Sequence, residues 1–233
     1  VSGASPWKTA RLLSVRDETP RAKTFRFELA EPSPHRAGQH YVVRLTAKDG
    51  YTASRSYSVA SAPDGSREFE LTVERLPGGE VSTFLHDVVE PGDELEVRGP
   101  IGGWFVWEGA TPAVLVGGGS GIVPLMAMLR YARNTGRASL LRVVVSVRSP
   151  DDLYYRDEFP GPETSVVYTR AVPPGNPRPA GRLGPDDLSA AIPSGATAYV
   201  SGSPAFCDAA SAALMSLGQP VNHIRVERFG PTG

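Results

Sequence analysis

With 233 residues, 40% of them hydrophobic and 21% charged, the chain has ordinary globular composition and is long enough for two cores of roughly a hundred residues each. A formal net charge of -1 gives no global reason to bind nucleic acid or an acidic membrane. Cys207 is the single cysteine, which excludes an internal disulfide and an iron–sulfur cluster held by four cysteines of this chain.

Short strands divided by turn residues run up to Trp107. Residues 41–45, 69–73 and 94–97 are β-rich, and Gly38, Asp49-Gly50, Asp64-Gly65, Gly78-Gly79 and Pro91-Gly92 mark the intervals. This spacing favours a closed antiparallel barrel, interrupted by one helix near residues 82–89. After Gly109 the period changes. Residues 113–116 read as a buried strand, and Ile122, Leu125, Met126 and Leu129 then share one helical face. Residues 141–147, 164–168 and 196–200 are near-continuous apolar strands, as parallel strands buried on both faces require. Ser203 suits a helix N-cap and Pro204 its first turn, with Phe206, Ala210, Ala213, Leu214 and Leu217 as the buried stripe. The expectation is two domains: an antiparallel β-barrel over 1–108 and an α/β doubly wound parallel sheet over 109–233. The proline-rich loop 173–177 is expected to be irregular and mobile.

His35, His40, His86 and His223 show no i, i+4 pairing, so no metal site is expected. No apolar run approaches ~18 residues, and the start at Val1 has neither the basic nor the apolar region of a signal peptide, so a cytoplasmic protein is expected.

Two clusters carry chemistry. Gly117-Gly118-Gly119-Ser120-Gly121-Ile122-Val123-Pro124 lies where a strand meets a helix. Glycines there let the backbone approach a pyrophosphate, and the free N–H groups of the helix start supply donors. Pro124 costs little in an unpaired first turn. The pattern is Gly-x-Gly-x-x-Pro rather than the three-glycine fingerprint, and a tight turn without a ligand would use the same residues. The second cluster, Arg55-Ser56-Tyr57-Ser58, offers a guanidinium, a ring and two hydroxyls; an ordinary solvated barrel face reads the same way.

In order along the chain, Arg55-Ser56-Tyr57-Ser58, Gly78-Gly79-Glu80-Val81-Ser82, the segment from Gly99-Pro100 to Trp104-Phe105, the Gly119-x-Gly121-x-x-Pro124 loop, Ser201-Gly202-Ser203-Pro204 and Glu227-Arg228-Phe229-Gly230 resemble the ferredoxin–NADP reductase family of flavoproteins. The resemblance covers nearly the whole chain and implies FAD on the barrel, NADP or NAD on the α/β domain, and the flavin between them. It assigns Arg55 to the FAD pyrophosphate, with Ser56 beside it, Tyr57 to the flavin ring and Ser58 to the neighbourhood of its reactive nitrogen. Leu71, Thr72 and Val73 line the flavin, Glu80, Val81 and Ser82 bind phosphate at a helix start, and Phe229 covers the flavin. Gly118, Gly119, Gly121 and Gly202 hold the nicotinamide nucleotide, with Ser120 touching both cofactors.

The family's cysteine beside the nicotinamide is Ser201 here, a catalytic position together with Ser58 and Glu227. Cys207, six residues on, reads as a buried small apolar residue. Glu227 stands near the nicotinamide or pairs with Arg225 or Arg228; both readings stay open. Arg148 and Arg170 follow successive strands and match positions that grip a 2′-phosphate, so NADPH is preferred over NADH despite nearby Asp151 and Asp152. Arg182 is a further, less specific candidate.

The implied enzyme passes electrons from NAD(P)H through FAD to a separate small redox protein: a ferredoxin, a flavodoxin or an oxygenase component. A monomer is expected, as is common in the family, with neither nucleic acid nor membrane as partner. Two alternatives remain: a free-flavin reductase, and a flavin- and nucleotide-binding subunit of a larger redox complex.

Overall fold

Strand β1 (Trp7–Thr19) and strand β2 (Ala22–Leu29) pair antiparallel, with Ala10, Leu12, Phe25, Phe27 and Leu29 inside and Arg11, Arg26 and Glu28 outside or at the rim. That period-two alternation is what a half-buried sheet demands. The computed structural model describes residues 5–159 and 161–230. Val1, where the absence of a signal peptide is expected, and the tail Pro231-Thr232-Gly233 lie outside these.

Strands β3 (His40–Thr46), β4 (Thr52–Ser58), β5 (Glu68–Glu74) and β6 (Glu94–Ile101) complete a six-stranded antiparallel sheet of order β4-β3-β6-β1-β2-β5. Its two edges meet. Val59 bridges Leu71, and the Ala60 N–H donates to the Glu70 carbonyl at 2.8 Å, curling the sheet into a barrel. Inside, the Tyr41 ring stacks on Phe69 at 4.3 Å between centroids, and Phe69 on Phe27 at 5.6 Å. Helix α1 (Glu80–Asp87) lays Val81 and Leu85 on this core. It begins two residues before the expected start: Ser82 is inside its first turn, where its hydroxyl donates to the Gly79 carbonyl and accepts from the Leu76 N–H, both at 3.2 Å.

The second half contains β7 (Ala113–Gly118), α2 (Ile122–Asn134), β8 (Leu141–Val147), β9 (Thr164–Tyr168), α3 (Pro185–Ser189), β10 (Thr197–Gly202), α4 (Pro204–Ser216) and β11 (Ile224–Arg228). The five strands are all parallel, in the order β11-β10-β7-β8-β9. Period two divides the core between the two faces. Leu115, Val143 and Val145 pack with α2, whereas Val114, Val116 and Val144 pack with Cys207, Ala210 and Leu214 of α4. Because β8 lies on one side of β7 and β10 on the other, the chain reverses its winding beside β7, the place where ligands bind in such sheets.

The expected stripe of α4 changes. Leu217 is 37% exposed just past α4, and Phe206 is only half-buried; Cys207, Ala210, Ala213 and Leu214 form the buried stripe instead. The loop 173–177 carries a single turn and no regular structure, and Arg178 beyond it is tied to Asp187 by bonds of 2.5 and 2.9 Å. Among the described residues no helix is long and apolar enough to cross a membrane.

Candidate functional site

A cleft of about 1400 Å³ runs between barrel and parallel sheet. Its barrel wall is the edge strand β4, which contributes Arg55, Ser56, Tyr57 and Ser58 together. An edge strand leaves alternate backbone N–H and C=O groups open, so β4 presents main chain as well as side chains. The Arg55 guanidinium bonds only the Ser54 carbonyl, at 2.7 Å, and has no carboxylate partner among the described residues. Burial pushes the Tyr57 phenol far above its ordinary range against the opposing charge of Arg55, so the ring stays neutral. The Ser58 hydroxyl is buried without a hydrogen-bond partner.

The floor comes from β5 and the start of α1. Thr72, Val81 and Ser82 line the cleft, while Leu71 and Val73 point into the barrel core. Glu80 turns its carboxylate away to the Tyr51 hydroxyl, which donates to it at 3.0 Å. A helix start with Gly79 as its N-cap, no side-chain cap and its first carboxylate drawn aside leaves backbone donors for an anion.

The opposite wall is the winding reversal of the parallel sheet. Gly118, Gly119 and Ser120 line it, and a 3-10 turn over Gly119–Gly121 leads into α2. The glycines have distinct reasons. A Cβ on Gly118 would sit 2.6 Å from the Phe206 ring, and one on Gly121 would sit 2.1 Å from the Ser201 carbonyl oxygen. Gly119, at φ 55, has open space around it. Gly121, Ser201 and Gly202 therefore lie one layer below the cleft, and Ser201 is fully buried with an unpartnered hydroxyl.

Glu227 and Phe229 close this wall. Arg228 pairs with Asp208 at 2.8 Å, and Arg225 donates to the Trp104 and Val106 carbonyls at 3.0 Å. The ion pair considered for Glu227 is thus absent; its Oε2 has no partner, and burial pushes the carboxyl up to about 7. Cys207 is buried, and desolvation pushes its thiol up to about 11, which fits an inert packing role. At the far end Arg148, Arg170 and Arg182 all line the cleft without a carboxylate partner among the described residues. The Arg170 N–H donates to the Arg148 carbonyl at 2.9 Å, which holds those two side by side.

The sequence reading missed Phe206, Tyr154 and His40 as cleft residues. Phe206 had a signal: it follows Gly202 and the capping Ser203, so its ring reaches the glycine turn while packing on the edge of the α4 core.

These residues fit two phosphorylated planar cofactors. The cleft is long, has free guanidinium groups and uncapped backbone donors at separate places, and holds buried polar atoms without partners. The comparisons agree. Residues 9–106 match the family model described as an oxidoreductase FAD-binding domain. Ferredoxin–NADP reductase B of Sorangium cellulosum is 34% identical, aligned over 97% of this chain and 98% of its own. The ferredoxin–NAD(P)(+) reductase component of naphthalene dioxygenase and salicylate hydroxylase systems of Ralstonia sp is 28% identical, over 94% of this chain and 68% of that protein. The FAD/NAD-binding domain of a Vibrio cholerae nitric oxide dioxygenase superposes with a TM-score of 0.82 at 23% identity, over 96% of this chain and 99% of that one, a likeness of fold alone. The Amycolatopsis cytochrome P450 reductase gives 0.79 at 29% identity, over 98% and 72%. The chain belongs to the ferredoxin–NADP reductase family and is an FAD-containing, NAD(P)H-dependent oxidoreductase.

Proposed function

We propose that the enzyme takes electrons from NADPH in preference to NADH and delivers them through FAD to a separate small redox protein, a ferredoxin, a flavodoxin or an oxygenase component. Reduced nicotinamide supplies two electrons as a hydride, which the flavin accepts and can release singly. All else in the reaction is positioning and electrostatics.

The observation that carries the nucleotide choice is the pair Arg148 and Arg170, side by side in the cleft wall with no acid to neutralise them. A desolvated 2′-phosphate suits two guanidinium groups far better than a ribose hydroxyl does. The nearby acids are otherwise engaged: Asp152 accepts from the Ser149 hydroxyl at 2.7 Å, and Asp151 lies 3.5 Å from Arg156. Arg182 adds positive potential.

On the barrel side Arg55 holds the FAD pyrophosphate with the backbone at Gly79–Ser82, Tyr57 packs on the flavin, Ser58 offers its unpartnered hydroxyl to its polar edge, and Thr72 forms the floor beneath. Gly118, Gly119 and Ser120 cradle the nicotinamide nucleotide, and Phe229 shields the flavin. Glu227, whose carboxyl burial pushes up to about 7, exchanges its proton near neutral pH next to the buried Ser201. The boundary between the two domains falls at residues 108/109. A separate acceptor agrees with the Ralstonia relative, a ferredoxin–NAD(P)(+) reductase component of which this chain spans 68%.

Anaerobic titration of the purified protein tests this reading. Flavin bleaching by NADPH at concentrations at least tenfold below those needed for NADH supports it; equal potency of the two overturns the preference. Loss of the yellow colour on gel filtration would favour a leaving flavin over a bound one.

A further inference from the structure

Tyr155 is the one non-glycine residue among the described residues with a left-handed backbone, at φ 56 and ψ 38. That region is sterically unfavourable for tyrosine, so surrounding contacts must hold it there. The residue follows β8 in the parallel-sheet half, yet its ring is buried against the barrel. Its hydroxyl donates to Thr72 Oγ1 at 2.6 Å, and its N–H donates to Glu18 Oε2 at 3.0 Å. Thr24 Oγ1 lies 2.7 Å from both Glu18 Oε1 and Thr72 Oγ1.

Counting protons fixes the direction of every bond. A carboxylate only accepts, so Thr24 donates to Glu18 and must accept from Thr72. Thr72 in turn accepts from the phenol. The result is a closed ring that leaves Tyr155 through its side chain and returns through its N–H, crossing from one half of the molecule to the other. Arg130 of α2 covers the Tyr155 ring at 4.8 Å and spans the same junction, donating to Glu158, to Glu70 and to the Ala60 carbonyl. Of the ring's members Thr72 alone reaches the cleft, as part of its floor.

We propose that Tyr155 is a positioning residue that sets how the nicotinamide-binding wall faces the flavin-binding wall. The proposal rests on reading the cleft as the FAD and NAD(P)H site. The phosphates of each cofactor are gripped by its own half, so affinity belongs chiefly to the halves separately, while transfer between them depends on alignment across the junction. Breaking the ring therefore slows transfer and spares binding.

The test uses FAD-loaded Tyr155→Phe, Thr24→Val and the double variant; Thr24 touches neither cofactor wall and keeps the test open should Tyr155→Phe fold poorly. In rapid mixing with NADPH, each single variant should lower the limiting rate of flavin reduction at least fivefold. FAD content and the NADPH dissociation constant should stay within twofold of wild type. The double variant should lose little more than either single one, because one ring is broken in both. Hydrogen exchange of the FAD-loaded protein without nucleotide gives an independent reading: Thr24→Val should speed exchange of the Tyr155 amide at least tenfold. Limiting rates within twofold of wild type, a slower rate matched by weaker NADPH binding, or an unchanged Tyr155 amide would overturn the proposal. Wild-type flavin that neither nucleotide bleaches would instead overturn the reading of the cleft, and this inference with it.

Discussion

Ser201 and Glu227 stand opposite each other in the register of β10 and β11, and each ends in a buried oxygen without a hydrogen-bond partner. In-register side chains of neighbouring strands leave the same face of a sheet, so the two unmet polar groups are adjacent by construction. A buried polar atom without a partner is costly in a folded protein, and of these two Glu227 lines the cleft while Ser201 lies beneath it.

For Glu227 this has a pH consequence. Burial raises its carboxyl from 4.5 to about 7, so the folded state resists ionising it. The stability it contributes is full below the unfolded value and declines as pH rises through about 7. Glu227→Gln removes the ionisation, so the variant should match wild type near pH 4.5 and exceed it above pH 8 by on the order of 2 kcal/mol. Denaturant unfolding at the two pH values measures the difference. An inflection near neutral pH in the wild-type rate of flavin reduction should also vanish in the variant.

Among the described residues Arg55 has only the neighbouring Ser54 carbonyl as a partner, which leaves most of its donors for a phosphate. Arg55→Ala should weaken FAD binding by about 1.5 to 3 kcal/mol, the range for a charge-assisted hydrogen bond, or roughly ten- to hundredfold in dissociation constant. Fluorescence titration of flavin-stripped protein checks this. Folding should be little changed, since the side chain is exposed and carries no structural ion pair.

Arg148 bears on which nucleotide is used. Arg148→Asp places a carboxylate where a 2′-phosphate would lie, so kcat/KM for NADPH should fall at least tenfold relative to NADH. Asp also suits a ribose hydroxyl, so NADH turnover should hold or rise. A preference ratio that does not move would remove Arg148 as the phosphate ligand and leave Arg170 and Arg182.

The two-domain organisation was legible because the hydrophobic period switches from alternation to continuous apolar strands after Gly109, and because β7 carries no polar side chain and β8 only Arg142 and Ser146. Strands β1 and β2 escaped the sequence reading for a local reason. Their turn, Pro20-Arg21, carries neither Asn nor Gly, and Arg11, Arg16 and Glu18 interrupt β1 on its outer face. Among candidate site residues, β4 and the glycine turn do share one cleft. What could not be read was depth. Ser201 and Gly121 sit beneath the surface because β10 approaches the α2 turn to van der Waals limits, a tertiary fact that spacing does not encode. The ring through Tyr155 was equally hidden, since it joins Glu18, Thr24 and Thr72 to a residue 137 positions beyond the first of them.

That close approach separates two glycines that look interchangeable in sequence. Gly121 has an ordinary right-handed backbone, at φ -61, so alanine there carries no conformational penalty. Its Cβ, however, would lie 2.1 Å from the Ser201 carbonyl oxygen and 2.6 Å from the Gly202 nitrogen, both main-chain atoms that cannot swing aside. Gly121→Ala should therefore cost about 3 kcal/mol or more through forced separation of β10 from the α2 turn. Gly119 reverses the balance: its φ of 55 disfavours a side chain, but nothing lies within 4 Å of the added carbon. Gly119→Ala should cost only about 1 kcal/mol of stability, the left-handed penalty for alanine. Urea unfolding of both variants gives the comparison, and a Gly121→Ala protein as stable as Gly119→Ala would mean that the turn and β10 separate more easily than their packing implies.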